Sequence, residues 1–340
     1  MSVRFALVGP GAVAAHHVKA LRQLKDAEIV ILCHPQEEAA RRFGDKFDLP
    51  WTTDFDALLQ RRDIDVVDVT TPSGAHAEVG IAAARAGKHV VVEKPIDVTL
   101  DKADALISAC RTAGVRLGVI SQYRFMDPVL ELHGLLREGK LGELIQGDAY
   151  IKWYRSQDYY DSGDWRGTWA LDGGGPFINQ GIHFIDLLLS VMGPVKWVHA
   201  RTRTVNHRIE VEDIGTAMVE FVSGAQGVIQ ASTAIYPGLP ARLEVHGSRG
   251  TVIVEGEKLA LKAIEGEQEQ RQGDVVAAGA ASPMSIDVKP FVRQFQDYLE
   301  ALSQDRDPAV SGEVARCSLQ LILAIYESNR RGKPVTLQGD

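Results

Sequence analysis

Along the first 120 or so residues, short β-branched runs alternate with amphipathic stretches. The runs are Arg4–Val8, Glu28–Cys33, Val66–Thr70, His89–Glu93 and Arg116–Ile120. Between them, "DFDALLQRR" and "AEVGIAAARAGK" carry apolar residues at three-to-four spacing and close on basic residues or glycine, the signature of surface helices. Near-continuous apolar strands separated by helices predict a parallel sheet covered on both faces.

The rhythm changes from about residue 143 to 262. Strand-like segments follow one another directly: "ELIQGDAYIKWY", "PVKWVHARTRTV", "DIGTAMVEFV", "AQGVIQASTAI", "ARLEVHG" and "TVIVEGEKLALKAI". Their alternation predicts a largely antiparallel sheet with one open face, interrupted by one helix around Phe177–Met192. The polar, Gly/Ala-rich "EGEQEQRQGDVVAAGAASPMS" reads as a mobile loop. Two helices close the chain, the first with an inward stripe of Phe291, Phe295, Tyr298 and Leu302.

Length supports this division, since 340 residues exceed the roughly 250–300 at which single cores stop growing. The expected class is α/β: a doubly wound parallel sheet over 1–121, then an α/β domain over 122–340 built on a large, mostly antiparallel open-faced sheet, with the C-terminal helices able to pack back on the first domain. A formal net charge of −8 argues against nucleic acid or an anionic membrane as partner. No apolar run approaches the roughly 18 residues needed to span a bilayer, and "MSVRFALVGPGAV" lacks a signal-peptide layout. Cys33, Cys110 and Cys317 are scattered and odd in number, which fits buried thiols in a reducing compartment. A cytoplasmic location is expected.

Chemistry first shows at the end of the opening strand. Gly9-Pro10-Gly11-Ala12-Val13-Ala14 is a G-x-G-x-x-A turn leading into a helix. Gly9 permits the tight turn, Gly11 lets a pyrophosphate approach the backbone, and Ala14 lets helix pack close to strand. The helix N-terminus then offers free N–H groups and partial positive charge to phosphates. The acidic residue that holds a ribose 2′-hydroxyl is expected about 20 residues on, but His34 stands there. Arg41 and Arg42 lie on the next helix rather than directly after it, so NAD is expected over NADP without the usual acidic marker.

The fifth run ends on Glu93-Lys94-Pro95. Its C-terminal end is the ligand side of a doubly wound sheet, and Pro95 biases Lys94 toward an extended backbone. Half-buried in a cleft, such a lysine can have its pKa drawn from about 10.4 toward roughly 7–8, the range useful for proton transfer. A second constellation lies in "GGGPFINQGIHFIDLL", residues 173–188. With Pro176 in the first turn, Asn179, His183 and Asp186 would share one helical stripe. The three glycines before it leave room for something flat to approach the backbone. His183 is a candidate general acid/base, and Asp186 either orients it or serves a local hydrogen-bond network. No third or fourth ligand is spaced to make a metal site of His183 and Asp186, and no G-x-S-x-G elbow supports a serine hydrolase.

These stretches together, with "TTPSGAHAEVGIAAARAGKHVVVEKP" between them, resemble the glucose–fructose oxidoreductase / inositol dehydrogenase / MocA family over essentially the whole chain. The resemblance implies a Rossmann domain, a C-terminal domain with an open sheet, homodimers or homotetramers assembled through such sheets, and NAD(P)-dependent oxidation or reduction of a sugar, cyclitol or nucleotide sugar. By position it makes Lys94 and His183 catalytic. Asn179 stands where the inositol dehydrogenase pattern has Asp; an amide cannot transfer a proton, so it would position substrate, and branches acting on nucleotide-linked sugars look similar in carrying Asn. The resemblance also places Thr71, Pro72, His76, Glu93 and Gln122 about the cofactor, and Tyr123 and Arg124 toward the substrate.

The stretch "WYRSQDYYDSGDWRGTW", residues 153–169, supplies aromatic faces and guanidinium forks suited to sugar rings, hydroxyls and phosphates. Tyr154, Arg155, Tyr160, Trp165 and Arg166 are its candidate contacts. The expected reaction is hydride transfer between a secondary carbinol carbon and nicotinamide, with Lys94 and His183 as acid/base pair. The alternatives are a non-catalytic NAD(P) sensor, which needs no proton-transfer pair, and an NAD-dependent glycosidase that oxidises its sugar transiently.

Overall fold

Strands buried on both faces and linked by covering helices build the first sheet. In the computed structural model, which describes residues 2–271 and 287–337, the elements run β1 (Val3–Val8), α1 (Ala12–Leu21), β2 (Ala27–Cys33), α2 (Glu37–Phe47), β3 (Trp51–Thr52), α3 (Phe55–Leu59), β4 (Val66–Val69), α4 (His76–Arg85), β5 (His89–Val92), α5 (Leu100–Ala113) and β6 (Leu117–Val119). Every strand pair among them is parallel, in the order β3-β2-β1-β4-β5-β6. This is the doubly wound arrangement that places ligands beyond the carboxyl ends of the strands, where the order reverses. The edge strand β3 is absent from the hydrophobic pattern because two residues carry no period.

The second sheet follows α6 (Asp127–Arg137): β7 (Leu144–Lys152), α7 (Gln157–Asp161), α8 (Ile182–Met192), β8 (Val195–Arg203), β9 (Ile214–Phe221), β10 (Gln226–Ser232), β11 (Arg242–Gly247), β12 (Gly250–Glu255), β13 (Lys258–Ile264) and β14 (Gln270–Arg271). With β15 (Val335–Thr336) from the end of the chain, the nine strands are ordered β14-β13-β12-β11-β7-β10-β9-β8-β15. All pairings are antiparallel except β10 with β7. "TVIVEGEKLALKAI" is two strands rather than one, because Gly256 turns the chain at φ +59°. Gln270–Arg271 pair with β13, so the start of the expected loop is ordered; its residues 272–285 lie outside the described residues. The expected helix over Phe177–Met192 begins only at Ile182.

The last elements are α9 (Lys289–Ser303), α10 (Gly312–Arg331) and β15 (Val335–Thr336). The chain divides into two compact units. The first holds residues up to Gln122 together with a returning segment ending at Arg316; the second holds Tyr123 onward and the chain from Cys317. Within the first unit, α9 lays Phe291, Phe295 and Tyr298 against Phe5, Val66, Val91 and Ile120 in one buried cluster. Phe295 meets Phe5 edge to face at 6.1 Å, and the Tyr298 hydroxyl donates to the Val90 carbonyl at 3.1 Å. Gln294 binds the end of β6 from both sides, accepting from Ser121 N–H and donating to the Val119 carbonyl. Truncating Phe295 to Ala should cost the first unit about 3–5 kcal/mol, read as a lowered denaturation midpoint in urea.

Candidate active site

The glycine turn after β1 has the geometry its sequence predicts. Gly9 adopts φ +104°, and a Cβ there would stand 2.8 Å from the Thr70 backbone, so only glycine fits. Gly11 caps α1 with extended backbone, and a Cβ on it would meet nothing closer than 3.9 Å. The open face of Gly11, the first-turn amides of α1 and buried Ala14 leave a turn that could hold a pyrophosphate. Pro10, Ala12 and Val13 complete the turn. His34 follows β2, its Nδ1 accepting from Gln36 N–H at 3.2 Å. The first turn of α2 carries Glu37 and Glu38, charges that oppose a 2′-phosphate, while Arg41 and Arg42 are exposed further along. Thr71 Oγ1 and Gln122 Oε1 are buried without a hydrogen-bond partner among the described residues. Pro72 leads from Thr71 into the turn before α4.

Beyond β5, two expected cofactor contacts are turned inward. Glu93 is only 4 % exposed; Oε1 lies 3.0 Å from His17 Nε2, and Oε2 accepts the Lys94 N–H at 3.0 Å. His17 Nδ1 sits 2.9 Å from Asp68 Oδ2, with both residues fully buried. Burial pushes the His17 imidazole down, but the charges and hydrogen bonds of Asp68 and Glu93 outweigh it and raise it to about 10. Burial likewise opposes the charge on Glu93, yet its bond to His17 and the charges of His17 and Lys94 hold its carboxyl below the usual range. His76 is also buried, with Nδ1 2.7 Å from the Pro95 carbonyl and Nε2 2.9 Å from the Thr71 carbonyl. It ties the loop after β4 to the loop after β5 instead of facing a ligand. Lys94 itself is half-buried at the carboxyl end of β5, and its bond to Pro95 is cis. Asp97 accepts from Ala77 and Val98 N–H and so anchors the start of α4.

In the second unit, the triple-glycine stretch receives the protein's own groups. A Cβ on Gly174 would strike the Tyr326 hydroxyl at 2.2 Å, and one on Gly175 the Glu212 carbonyl at 1.8 Å. Glu212 accepts from Gly175 N–H, Phe177 N–H and the Tyr326 hydroxyl at 3.0, 3.3 and 3.0 Å, and burial pushes its carboxyl up to about 7. Drawing those amides to a side chain delays the helix to Ile182, so Asn179 stands in the preceding turns and shares no helical stripe with His183. Its amide donates to Asp172 Oδ1 at 2.5 Å. His183 opens α8, stacked on Tyr123 with ring centroids 4.6 Å apart and planes 20° off parallel; burial pushes the Tyr123 hydroxyl up to about 12. Asp186 belongs to a local hydrogen-bond network: it is gripped by the Arg124 fork at 2.6 and 2.7 Å and by the Ser318 hydroxyl at 3.1 Å. The expectation that Arg124 reaches toward substrate therefore meets a guanidinium already paired.

Arg155 and Arg166 lie 5.4 and 4.3 Å from the ring of Tyr159, and Arg166 also covers Trp165 at 4.5 Å. Tyr160 points the other way, into the core, its hydroxyl 2.7 Å from Thr233 Oγ1. Of this adjacent pair it is Tyr159, not the candidate Tyr160, that meets the two guanidiniums; a five-residue helix carries no period from which to read that. Tyr154 packs edge-on against Tyr236. Asp213, beside Glu212, accepts from the N–H groups of Val205, Asn206 and His207 and from His207 Nδ1, while His207 Nε2 meets the Arg155 carbonyl at 2.8 Å. Two adjacent carboxylates thus hold the Asn179 turn and the Arg155 segment. Elsewhere on this sheet Asp148, Glu244 and His246 approach within 4.8 Å, but Arg242 already pairs Glu244, and Asp148 accepts from Val228 N–H and Gln146.

Comparison with known proteins gives this geometry its context. The description "Oxidoreductase family, NAD-binding Rossmann fold" matches residues 3–121, and "GFO/IDH/MocA C-terminal domain" matches residues 129–253. The chain belongs to the GFO/IDH/MocA oxidoreductase family. Among solved structures it is similar to the WlbA dehydrogenase from Bordetella pertussis in complex with NADH and UDP-GlcNAcA, with 32% identity, TM-score 0.87 and all of both chains covered. Among curated relatives it is 27% identical to D-apiose dehydrogenase of Paraburkholderia graminis over 98% of this chain and 89% of that one. It is 26% identical to scyllo-inositol 2-dehydrogenase (NAD(+)) of Bacillus subtilis over 98% and 96%. Like its family, the chain is an oxidoreductase that uses NAD. Gly9, Gly11, the start of α1, Thr71 and Gln122 would hold the dinucleotide, which supplies the hydride acceptor or donor when bound. Among the described residues, no helix is long and apolar enough to cross a membrane.

The buried His17 carries a pH signature. Its folded pKa, about 10, stands above the 6.5 of an unperturbed histidine. Its stabilisation is therefore complete below 6.5 and lost as pH rises through about 10. The urea midpoint should fall across that window, and Asp68→Asn should flatten the fall.

Proposed function

We propose that this oxidoreductase acts with NAD on a secondary hydroxyl or ketone of a nucleotide-linked sugar, with a UDP-linked sugar acid as the favoured class. The observation that carries this reading is the pair of guanidinium groups, Arg155 and Arg166, set over Tyr159. Arg155 Nε is buried without a hydrogen-bond partner among the described residues, and planar forks of this kind suit diphosphates and carboxylates. The relative holding UDP-GlcNAcA with NADH supports the same class, as does Asn179 in place of a proton-transferring Asp.

Lys94 and His183 are the proton-handling side chains in this proposal, taking or returning the hydroxyl proton and balancing charge on that oxygen. Asn179, fixed by Asp172, orients substrate; Tyr123, Tyr154, Arg155, Trp165 and Arg166 line its path. The proposal extends to assembly and location. Met218 is 49 % exposed on β9, in keeping with homo-oligomers formed through the open sheet face. Among the described residues no disulfide joins the three cysteines, in keeping with the cytoplasm; Cys33 and Cys110 are buried as expected, whereas Cys317 is exposed.

Nicotinamide absorbance should rise in a screen containing UDP-linked sugar acids and stay level with D-apiose or scyllo-inositol; the reverse result would replace the substrate class. Lys94→Ala and His183→Asn should each lower turnover about a hundredfold or more, with NADH binding retained in fluorescence titration. Arg155→Ala or Arg166→Ala should raise KM for the nucleotide-linked substrate more than it changes kcat. Met218→Glu should shift the light-scattering mass toward the monomer.

A further inference from the structure

We infer that His17 is a positioning residue for Lys94, acting through Glu93. The inference rests on the proposed proton-handling role of Lys94. His17 lies on α1, one and a half turns beyond the glycine turn, and is fully buried. Its two ring nitrogens face two carboxylates: Nδ1 is 2.9 and 3.0 Å from the oxygens of Asp68 on β4, and Nε2 is 3.0 Å from Glu93 Oε1. Only an imidazolium presents an N–H to both. The ring is fixed on its other sides by Phe291, at 5.5 Å between centroids, and by Phe295, edge-on at 5.2 Å. With the ring locked, Glu93 Oε1 has one place to go, and Oε2 is then aimed at the Lys94 N–H, 3.0 Å away.

The remaining charged and titratable groups about Glu93 are Lys94, His76 and, on the same helix as His17, His16. His76 secures the next link, 2.7 Å from the Pro95 carbonyl. The lysine backbone is therefore held at its own amide by Glu93 and one residue on by His76, so the side chain leaves the strand end in a set direction. A buried ionic cluster is a poor way to gain stability, because apolar replacements of similar volume often serve as well. A fixed lysine is what this one supplies. A misplacement of about 1 Å at a reacting group can cost on the order of a hundredfold in rate.

The test uses the 340-residue enzyme with NAD and UDP-GlcNAcA as the probe of the proposed substrate class. His17→Gln and Glu93→Gln should each lower kcat about ten- to a hundredfold, leave KM for NAD nearly unchanged and move a limb of the kcat pH profile. If both act through one bond, the double variant should be no slower than the slower single. Multiplying effects, kcat near wild type, or a kcat loss with an unmoved pH profile would each overturn the inference. Should His17→Gln fail to fold, judged by circular dichroism and NADH binding, Glu93→Gln decides alone: normal turnover with a normal pH profile overturns the inference. Lys94→Ala separates the two levels. If that variant turns over normally, the lysine reading fails and this inference with it; if it is slow while His17→Gln and Glu93→Gln are normal, only the inference fails.

Discussion

Two carboxylates sealed inside a parallel sheet set the conditions for everything around them. An ionised carboxylate removed from water costs several kcal/mol unless it is paired, and Asp68 and Glu93 are almost wholly removed. One imidazolium between them meets the requirement of both. The helix that carries it is the helix whose first turn follows Gly11, so a single element both opens at the glycine turn and delivers the counter-charge beneath the lysine loop. The tight turn at Gly9, the course of α1 and the set of Lys94 are consequently one construction rather than three.

The second unit repeats the device with other partners. Glu212 and Asp213 are adjacent, buried, and bonded chiefly to backbone amides. One gathers the glycine-rich turn on which Asn179 sits; the other gathers the segment that meets the Arg155 carbonyl through His207. Charge inside the protein here organises loops that have no periodic hydrogen bonding of their own.

Much of this was legible in the residues. Near-continuous apolar runs announce the parallel sheet, alternation announces the second sheet, and Gly9-Pro10-Gly11 announces the tight turn into α1. What stayed hidden shares a physical cause: it depends on contacts far apart in sequence. Nothing near Asn179 reveals that Glu212, thirty-odd residues later, draws the amides of Gly175 and Phe177 away from a helix. The glycines looked like room for a ligand, yet Tyr326 and Glu212 fill that room. His17 passed unnoticed because a histidine on an apolar helix face has the same local pattern whether it meets solvent, a ring or two carboxylates; its partners lie 51 and 76 residues away. Parallel pairing of β10 with β7 is invisible for the same reason, since alternation does not encode direction.

The return of α9 to the first unit bears on how the chain is made. Phe291, Phe295 and Tyr298 close the cluster that contains Phe5, Val66 and Val91, yet all the residues of Tyr123–Ser282, which belong to the other unit, are translated in between. While the ribosome works through them, the nucleotide-binding half must wait with its floor open to solvent, exposed to the sticking that partly buried sheets invite. The fold thus binds the two halves to a common schedule of synthesis: the part that begins first is finished nearly last.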